Sequence, residues 1–167
     1  MWTQADLLAL LEKLDIRFIL HEHEPVFTVA QSESVRGRLE GILGKCLFLQ
    51  SVEGRYWLAA VPADMRVDLK KLAQALDCRR LSFAPPEKLD EFLNLYPGAV
   101  CPYGALNDKD GRVLAVVEES LAKSEELLFF HPLENTASIG VSAGDLLKVL
   151  EYADHKPLIA GGIGKDD

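Results

Sequence analysis

Cysteine is scarce. Cys46, Cys78 and Cys101 are the three in 167 residues, an odd number with no CxxC spacing and no histidine placed to complete a ligand set. That excludes a disulfide framework and a structural zinc site, and it points to a reducing cytoplasm. Long apolar runs are missing too. Stretches such as Trp57 to Ala63 fall far short of the roughly 20 residues that cross a bilayer. Met1-Trp2-Thr3-Gln4-Ala5-Asp6 has no basic segment leading into an apolar one. The expectation is a soluble, unexported protein that meets no membrane. Positive charge is in the minority: 18 basic against 26 acidic residues give a net charge of −8. This balance counts against DNA and against any extended nucleic-acid contact, which would rest on many phosphates. The basic residues gather in two stretches, Arg36, Arg38 and Lys45, then Arg66, Lys70, Lys71, Arg79 and Arg80. Each reads most simply as a solvated helix face, yet either can meet the few phosphates at the end of a strand. There is no nucleophile elbow, Walker loop, dinucleotide fingerprint or HExxH.

What is present suits one folded unit. With 49% apolar residues the chain can bury a substantial core, and a single domain over residues 1–160 with a frayed tail at 161–167 is expected. Thr3-Gln4-Ala5-Asp6 reads as a capping box before leucines at helical spacing, so a first helix runs to about Lys13 or Leu14. Arg17 to Glu22 has strand character, and Ala30 to Arg36 has helical character. Cys46 to Val52 and Arg55 to Val61 are β-rich around Glu53-Gly54, which predicts a hairpin with Lys45 at the mouth of its first strand. Helices follow Asp68 and Pro85-Pro86. Short strands are expected at Arg80 to Phe83, Arg112 to Glu118, Glu126 to Phe130 and, last, Ser138 to Val141. Ser142-Ala143-Gly144-Asp145 opens a closing helix. Strands joined partly by hairpins predict an α+β fold: a mixed, largely antiparallel curled sheet or barrel flanked by helices.

The densest chemistry lies in Tyr96-Pro97-Gly98-Ala99-Val100-Cys101-Pro102-Tyr103-Gly104. Gly98 can turn where a Cβ would clash and Pro102 fixes φ without an N–H, so the stretch reads as a stiff loop whose exposed amides can hold a carbonyl. A rigid turn without function is the plainer alternative. Lys45, after Gly44 and before Cys46-Leu47-Phe48-Leu49, can aim one ammonium at a phosphate or a developing oxyanion. His131, between a strand end and Pro132, is the histidine best placed for a site, with a purely structural histidine the competing reading. His21 and His23 share a strand face without a third ligand, so no metal is expected there. His155 reads as a cation at a helix end. Cys46 has no obvious base to make it a thiolate and reads as pocket wall.

Taken together, these segments resemble the YbaK and prolyl-tRNA-synthetase editing-domain superfamily. Within it they most resemble the free-standing alanyl-tRNA(Pro) deacylases called ProXp-ala or PrdX. The resemblance spans nearly the whole chain. It is carried by Pro25-Val26-Phe27-Thr28-Val29, Gly44-Lys45-Cys46-Leu47-Phe48-Leu49, Val67-Asp68-Leu69-Lys70, Arg80-Leu81-Ser82-Phe83, Pro97-Gly98-Ala99-Val100, Leu106-Asn107-Asp108 and His131 through Ala137. It implies that Lys45 is the family's essential lysine, that Gly98 to Pro102, with Ala99, Val100 and Cys101, is its GXXXP loop, and that Arg80 and His131 line the substrate site. Val26, Phe27 and Thr28 are expected in the amino-acid pocket, and Asn135 in the substrate-binding segment. Where the family often has Asn after the lysine, this chain has Cys46. The implied activity is cofactor-free hydrolysis of the ester of mischarged tRNA(Pro), Ala-tRNA(Pro) first, with the tRNA acceptor end as partner. Prolyl-tRNA synthetase or an elongation factor is a further partner. The alternatives are a deacylase of another mischarged tRNA such as Cys-tRNA(Pro), or a non-catalytic module that binds aminoacyl-tRNA or a synthetase.

Overall fold

Thr3 opens the first helix as its spacing predicts. In the computed structural model, which describes residues 1–25 and 39–166, the Thr3 hydroxyl accepts from the Asp6 amide and the Asp6 carboxylate accepts from the Thr3 amide. Helix α1 (Gln4–Lys13) then buries Leu7, Leu10 and Leu11. Strands β2 (Ile42–Ser51) and β3 (Tyr56–Pro62) make the expected hairpin. Its turn uses Gly54 at φ 83°, and the Ser51 amide donates to the Arg55 carbonyl at 2.9 Å. The readings at Val26, Phe27, Thr28, Arg36 and Arg38, and the helix over Ala30 to Arg36, lie outside the described residues.

One correction bears on the site. Strand β2 begins at Ile42 rather than Cys46, so Lys45 sits inside the strand and not at its mouth. The early start is built on glycine. A Cβ at Gly44 would run into the Phe130 ring, and its absence lets β6 (Leu128–Phe130) pair parallel with the first residues of β2. The remaining elements are β1 (Ile19–Glu22), α2 (Leu69–Ala75), β4 (Leu81–Phe83), α3 (Pro86–Leu93), β5 (Val113–Glu118), α4 (Glu119–Ala122), β7 (Ala137–Val141), α5 (Ala143–Tyr152) and β8 (Leu158–Ala160). Two 3₁₀ turns, Pro97–Ala99 and Pro102–Asn107, lie between α3 and β5.

The sheet is mixed, as expected, and among the described residues it has eight strands, in the order β1-β7-β6-β2-β3-β5-β8, with β4 beside the far half of β2. β1 and β8 stand at the ends of this order and do not pair with each other among the described residues. Side chains alternate across it. Phe48, Leu58, Phe130 and Ile139 face one layer, with the leucines of α1, α3 and α5. Leu49, Trp57 and Val61 face the other, with Leu72 and Ala73 of α2.

The C-terminal reading needs correcting. β7 is not the last strand, because β8 follows α5, and residues 161–166 are not frayed. Ile163 is 1% exposed, its carbonyl accepts the Asp68 amide at 2.8 Å, and the Lys165 amide donates to the Arg66 carbonyl at 2.7 Å. A single isoleucine among glycines carries too little periodicity to announce this, but it fills the α2 side of the sheet. No described helix is long and apolar enough to cross a membrane.

Candidate active site

Three segments far apart in sequence meet around Cys46. From β2, Cys46 projects to the α1/α3 side, where Cys101 of the Gly98 loop lies close enough to oppose the ionisation of Cys46. From the loop, Cys101 draws main-chain amides of Leu133, Gly104 and Tyr103 toward its sulfur, which ties the loop to the segment after β6. Tyr96 makes a second tie: its hydroxyl donates to Asn135 Oδ1 at 2.9 Å and accepts from the Asn135 amide at 3.2 Å. Leu133, between these ties, holds a left-handed φ of 72°, a conformation that costs a leucine on the order of 1–3 kcal/mol and persists only where neighbours enforce it.

The loop differs from its expected form. Ala99, Cys101 and Pro102 are buried, and Gly98 and Val100 are half-buried, so the loop is largely sheltered rather than exposed. Gly98 sits in a right-handed 3₁₀ turn, outside the positive-φ residues, so its backbone does not require glycine. The Ala99 amide donates to the Tyr96 carbonyl at 2.9 Å, which leaves the neighbouring amides of Gly98 and Val100 as the carbonyl-holding candidates. Burial pushes the Cys101 thiol up to about 11 and raises Cys46 well above its usual value. Neither is a thiolate near neutral pH, so nucleophilic thiol chemistry finds no support here.

Lys45 is one residue away but on the other face. It pairs with Val61 and lines the α2 side with Leu47, and its Nζ donates to the Met65 carbonyl at 2.7 Å. Burial lowers its pKa, partly opposed by the Asp64 carboxylate. The ammonium and the Gly98 loop therefore flank Cys46 from opposite sides of one strand instead of closing on a single point.

His131 is half-buried at the end of β6, and its Nδ1 lies 2.9 Å from the Ala137 carbonyl. A carbonyl only accepts, so the neutral ring carries its proton on Nδ1 and its lone pair on Nε2. The His23 ring lies 6.1 Å away, with its Nε2 2.9 Å from the Ser138 hydroxyl. Burial holds His131 below the usual imidazole range; the Ala137 bond opposes that, and His23 adds to it. The fold therefore favours the neutral ring. Its contribution to stability is complete above the ordinary value of about 6.5 and drains away as pH falls toward the lower folded value. We expect wild-type protein to lose more thermal stability between about pH 7 and pH 5 than His131→Leu does; equal losses would remove His131 as the cause.

Two site readings change. Arg80 does not join this group: it precedes Leu81, which pairs with Ser51, six residues along β2 from Lys45 or roughly 20 Å at the strand's rise per residue. It lies on the surface beside Arg79 and Val52. Asn135 is 3% exposed and serves as a strut to Tyr96 behind the loop, with its Nδ2 buried and unpartnered. Met65 and Ser138 were not legible as site neighbours, since a main-chain acceptor and a strand serine carry no sequence signal.

The model of the aminoacyl-tRNA editing domain family matches residues 23–149, which takes in all three segments. The chain belongs to this family. It is accordingly an aminoacyl-tRNA deacylase. The chain is 34% identical over 145 residues to the prolyl-tRNA editing protein ProX of Acetoanaerobium sticklandii, covering 86% of this chain and 88% of that one. It is also 34% identical over 163 residues to the prolyl-tRNA synthetase associated domain-containing protein 1 of Bos taurus, covering 93% and 95%. A solved structure described as a candidate trans-editing enzyme for prolyl tRNA synthetase superposes with a TM-score of 0.72 over 99% of both chains at 19% identity, which establishes the shared fold.

Proposed function

We propose that this deacylase hydrolyses mischarged tRNA(Pro), with Ala-tRNA(Pro) its preferred substrate. The observation that carries the reading is the pair of hydrogen bonds between Tyr96 and Asn135, which holds the Gly98 loop against the segment that follows His131. The name of the ProX relative, a prolyl-tRNA editing protein, supports tRNA(Pro) as the carrier. An aminoacyl ester is already activated, so a positioned water and charge stabilisation at the carbonyl suffice without a protein nucleophile. In this mechanism the Gly98 and Val100 amides polarise the ester carbonyl, and His131 Nε2 offers an acceptor to water or to the substrate's amino group. Lys45, from the other face of β2, anchors a phosphate or the ribose of the terminal adenosine and so fixes where the ester lies. A small pocket admits alanine and excludes proline by size; excluding the larger side chain is the easier direction, since one methylene discriminates the other way by only about 1–3 kcal/mol.

Incubating the protein with Ala-, Cys-, Ser- and Pro-charged tRNA(Pro) tests the reading. Rapid loss of alanine alone supports it. Preferential loss of cysteine moves the specificity, and binding without turnover makes the domain a non-catalytic module. Gly98 gives a sharper check. Its right-handed turn accepts an L side chain, so Gly98→Ala is expected to fold normally yet lose on the order of 10-fold or more in kcat as the methyl occupies the carbonyl's approach. Full activity in Gly98→Ala would refute carbonyl binding at this turn.

A further inference from the structure

On the α2 side of the sheet a cleft of about 510 Å³ is lined by Lys45, Leu47, Asp68, Lys70, Phe83 and Lys165, among others. The volume lies within the range of about 300–1,000 Å³ typical of small-ligand sites. Its lining is unlike the rest of an acidic protein: three lysines stand beside one carboxylate, Asp68, which accepts the Lys70 and Lys71 amides at the start of α2, while Asp64 acts on Lys45 from close by. The nearby Asp166 pairs with Lys71 at 3.1 Å. Phe83 is the second anomaly. It is 63% exposed although it sits on a strand, paired with Leu49 and held by the Ala84 amide donating to the Phe48 carbonyl at 2.9 Å. An aromatic ring presented to solvent on a fixed backbone, with cations around it, matches the chemistry of single-stranded nucleic acid: a flat face for a base and ammonium groups for the phosphates on either side. The docked C-terminal segment takes part, because the bond from the Lys165 amide to Arg66 fixes the backbone from which Lys165 reaches the cleft.

We infer that this cleft is a docking site for the unpaired 3′ end of the tRNA acceptor, with a base upstream of the terminal adenosine stacked on Phe83 and its phosphates set between Lys70 and Lys165. This rests on the deacylase reading of the preceding section and extends it to nucleotides that take no part in the chemistry. Strand alternation turns the Lys45 ammonium into this cleft while its neighbour Cys46 faces the loop.

The test compares two substrates, full-length Ala-tRNA(Pro) and the minimal ester alanyl-adenosine, which lacks the upstream nucleotides. Base stacking is worth about 1–3 kcal/mol, so Phe83→Ala is expected to raise KM for the tRNA by roughly 5- to 150-fold while leaving the minimal ester unaffected. Phe83→Tyr should restore the tRNA value, and Lys70→Ala with Lys165→Ala should raise it and flatten its salt dependence. Phe83 is exposed, so its loss leaves the core intact. Unchanged KM for tRNA in Phe83→Ala, or equal losses on both substrates, would overturn the docking site. If wild-type protein hydrolyses neither substrate, it is the deacylase reading that fails. Binding of a labelled CCA-ended oligoribonucleotide, weakened by Phe83→Ala, would then still establish the cleft as an RNA site; binding of an acidic peptide in its place would overturn that too.

Discussion

Lys45→Ala is expected to lower kcat/KM for mischarged tRNA(Pro) by about 100-fold, the loss that follows when an anchoring group is removed and the reacting ester is misplaced by roughly 1 Å. Its melting temperature should stay close to wild type. The ammonium is half-buried and bonded to the Met65 carbonyl at 2.7 Å, and that carbonyl can turn to water once the lysine is gone. Lys45→Arg is not a conservative control, because a planar guanidinium cannot occupy the position of a compact ammonium between Met65 and Asp64. Burial lowers the lysine's pKa, so the alkaline fall in wild-type activity should begin below the ordinary lysine value of about 10.4. Wild-type turnover in Lys45→Ala, measured with alanine-charged tRNA(Pro), would remove Lys45 from the mechanism and leave the work to the Gly98 loop and His131.

How much of this was legible beforehand depends on the range over which each interaction acts. Helix α1, the Glu53-Gly54 hairpin and the caps at Asp68 and Ser142 were readable because capping and turn chemistry act within three or four residues. The start of β2 was not, since glycine at 41 and 44 reads as a strand breaker until Phe130 is seen lying over Gly44. Residues 161–166 were misread because one isoleucine decides them. At the site, the residue types were visible but their sides were not. Lys45 and Cys46 are neighbours in sequence and opposites in space, a consequence of strand alternation that follows only once both are known to lie inside β2 rather than at its mouth. Arg80 was drawn into the site by resemblance, and the register of β4 on β2 moves it to the far end of that strand.

The largest stability loss is expected away from the site, at a pair the sequence hid. His155 does not simply cap the end of α5. Its Nε2 lies 2.9 Å from Asp108 Oδ2 and its Nδ1 2.6 Å from the Ala153 carbonyl, with the side chains 5% and 0% exposed. Asp108 also accepts the Arg112 amide at 3.1 Å and the Val113 amide at 2.8 Å, so one carboxylate joins the second 3₁₀ turn, the start of β5 and the end of α5. Asp108→Ala leaves two amides and a buried ring without their acceptor, a loss of about 3–5 kcal/mol, since removing one partner of a buried pair strands the other. For a chain of this size that is a fall of roughly 6–20 °C in melting temperature. His155→Leu should cost less, because Asp108 keeps its two amide donors. The double variant should lose less than the sum of the single losses, since both changes break the same contact. Thermal melts of the three variants beside Lys109→Ala, an exposed neighbour, decide the matter. A loss in Asp108→Ala no larger than in Lys109→Ala would mean that the carboxylate is not what joins these elements.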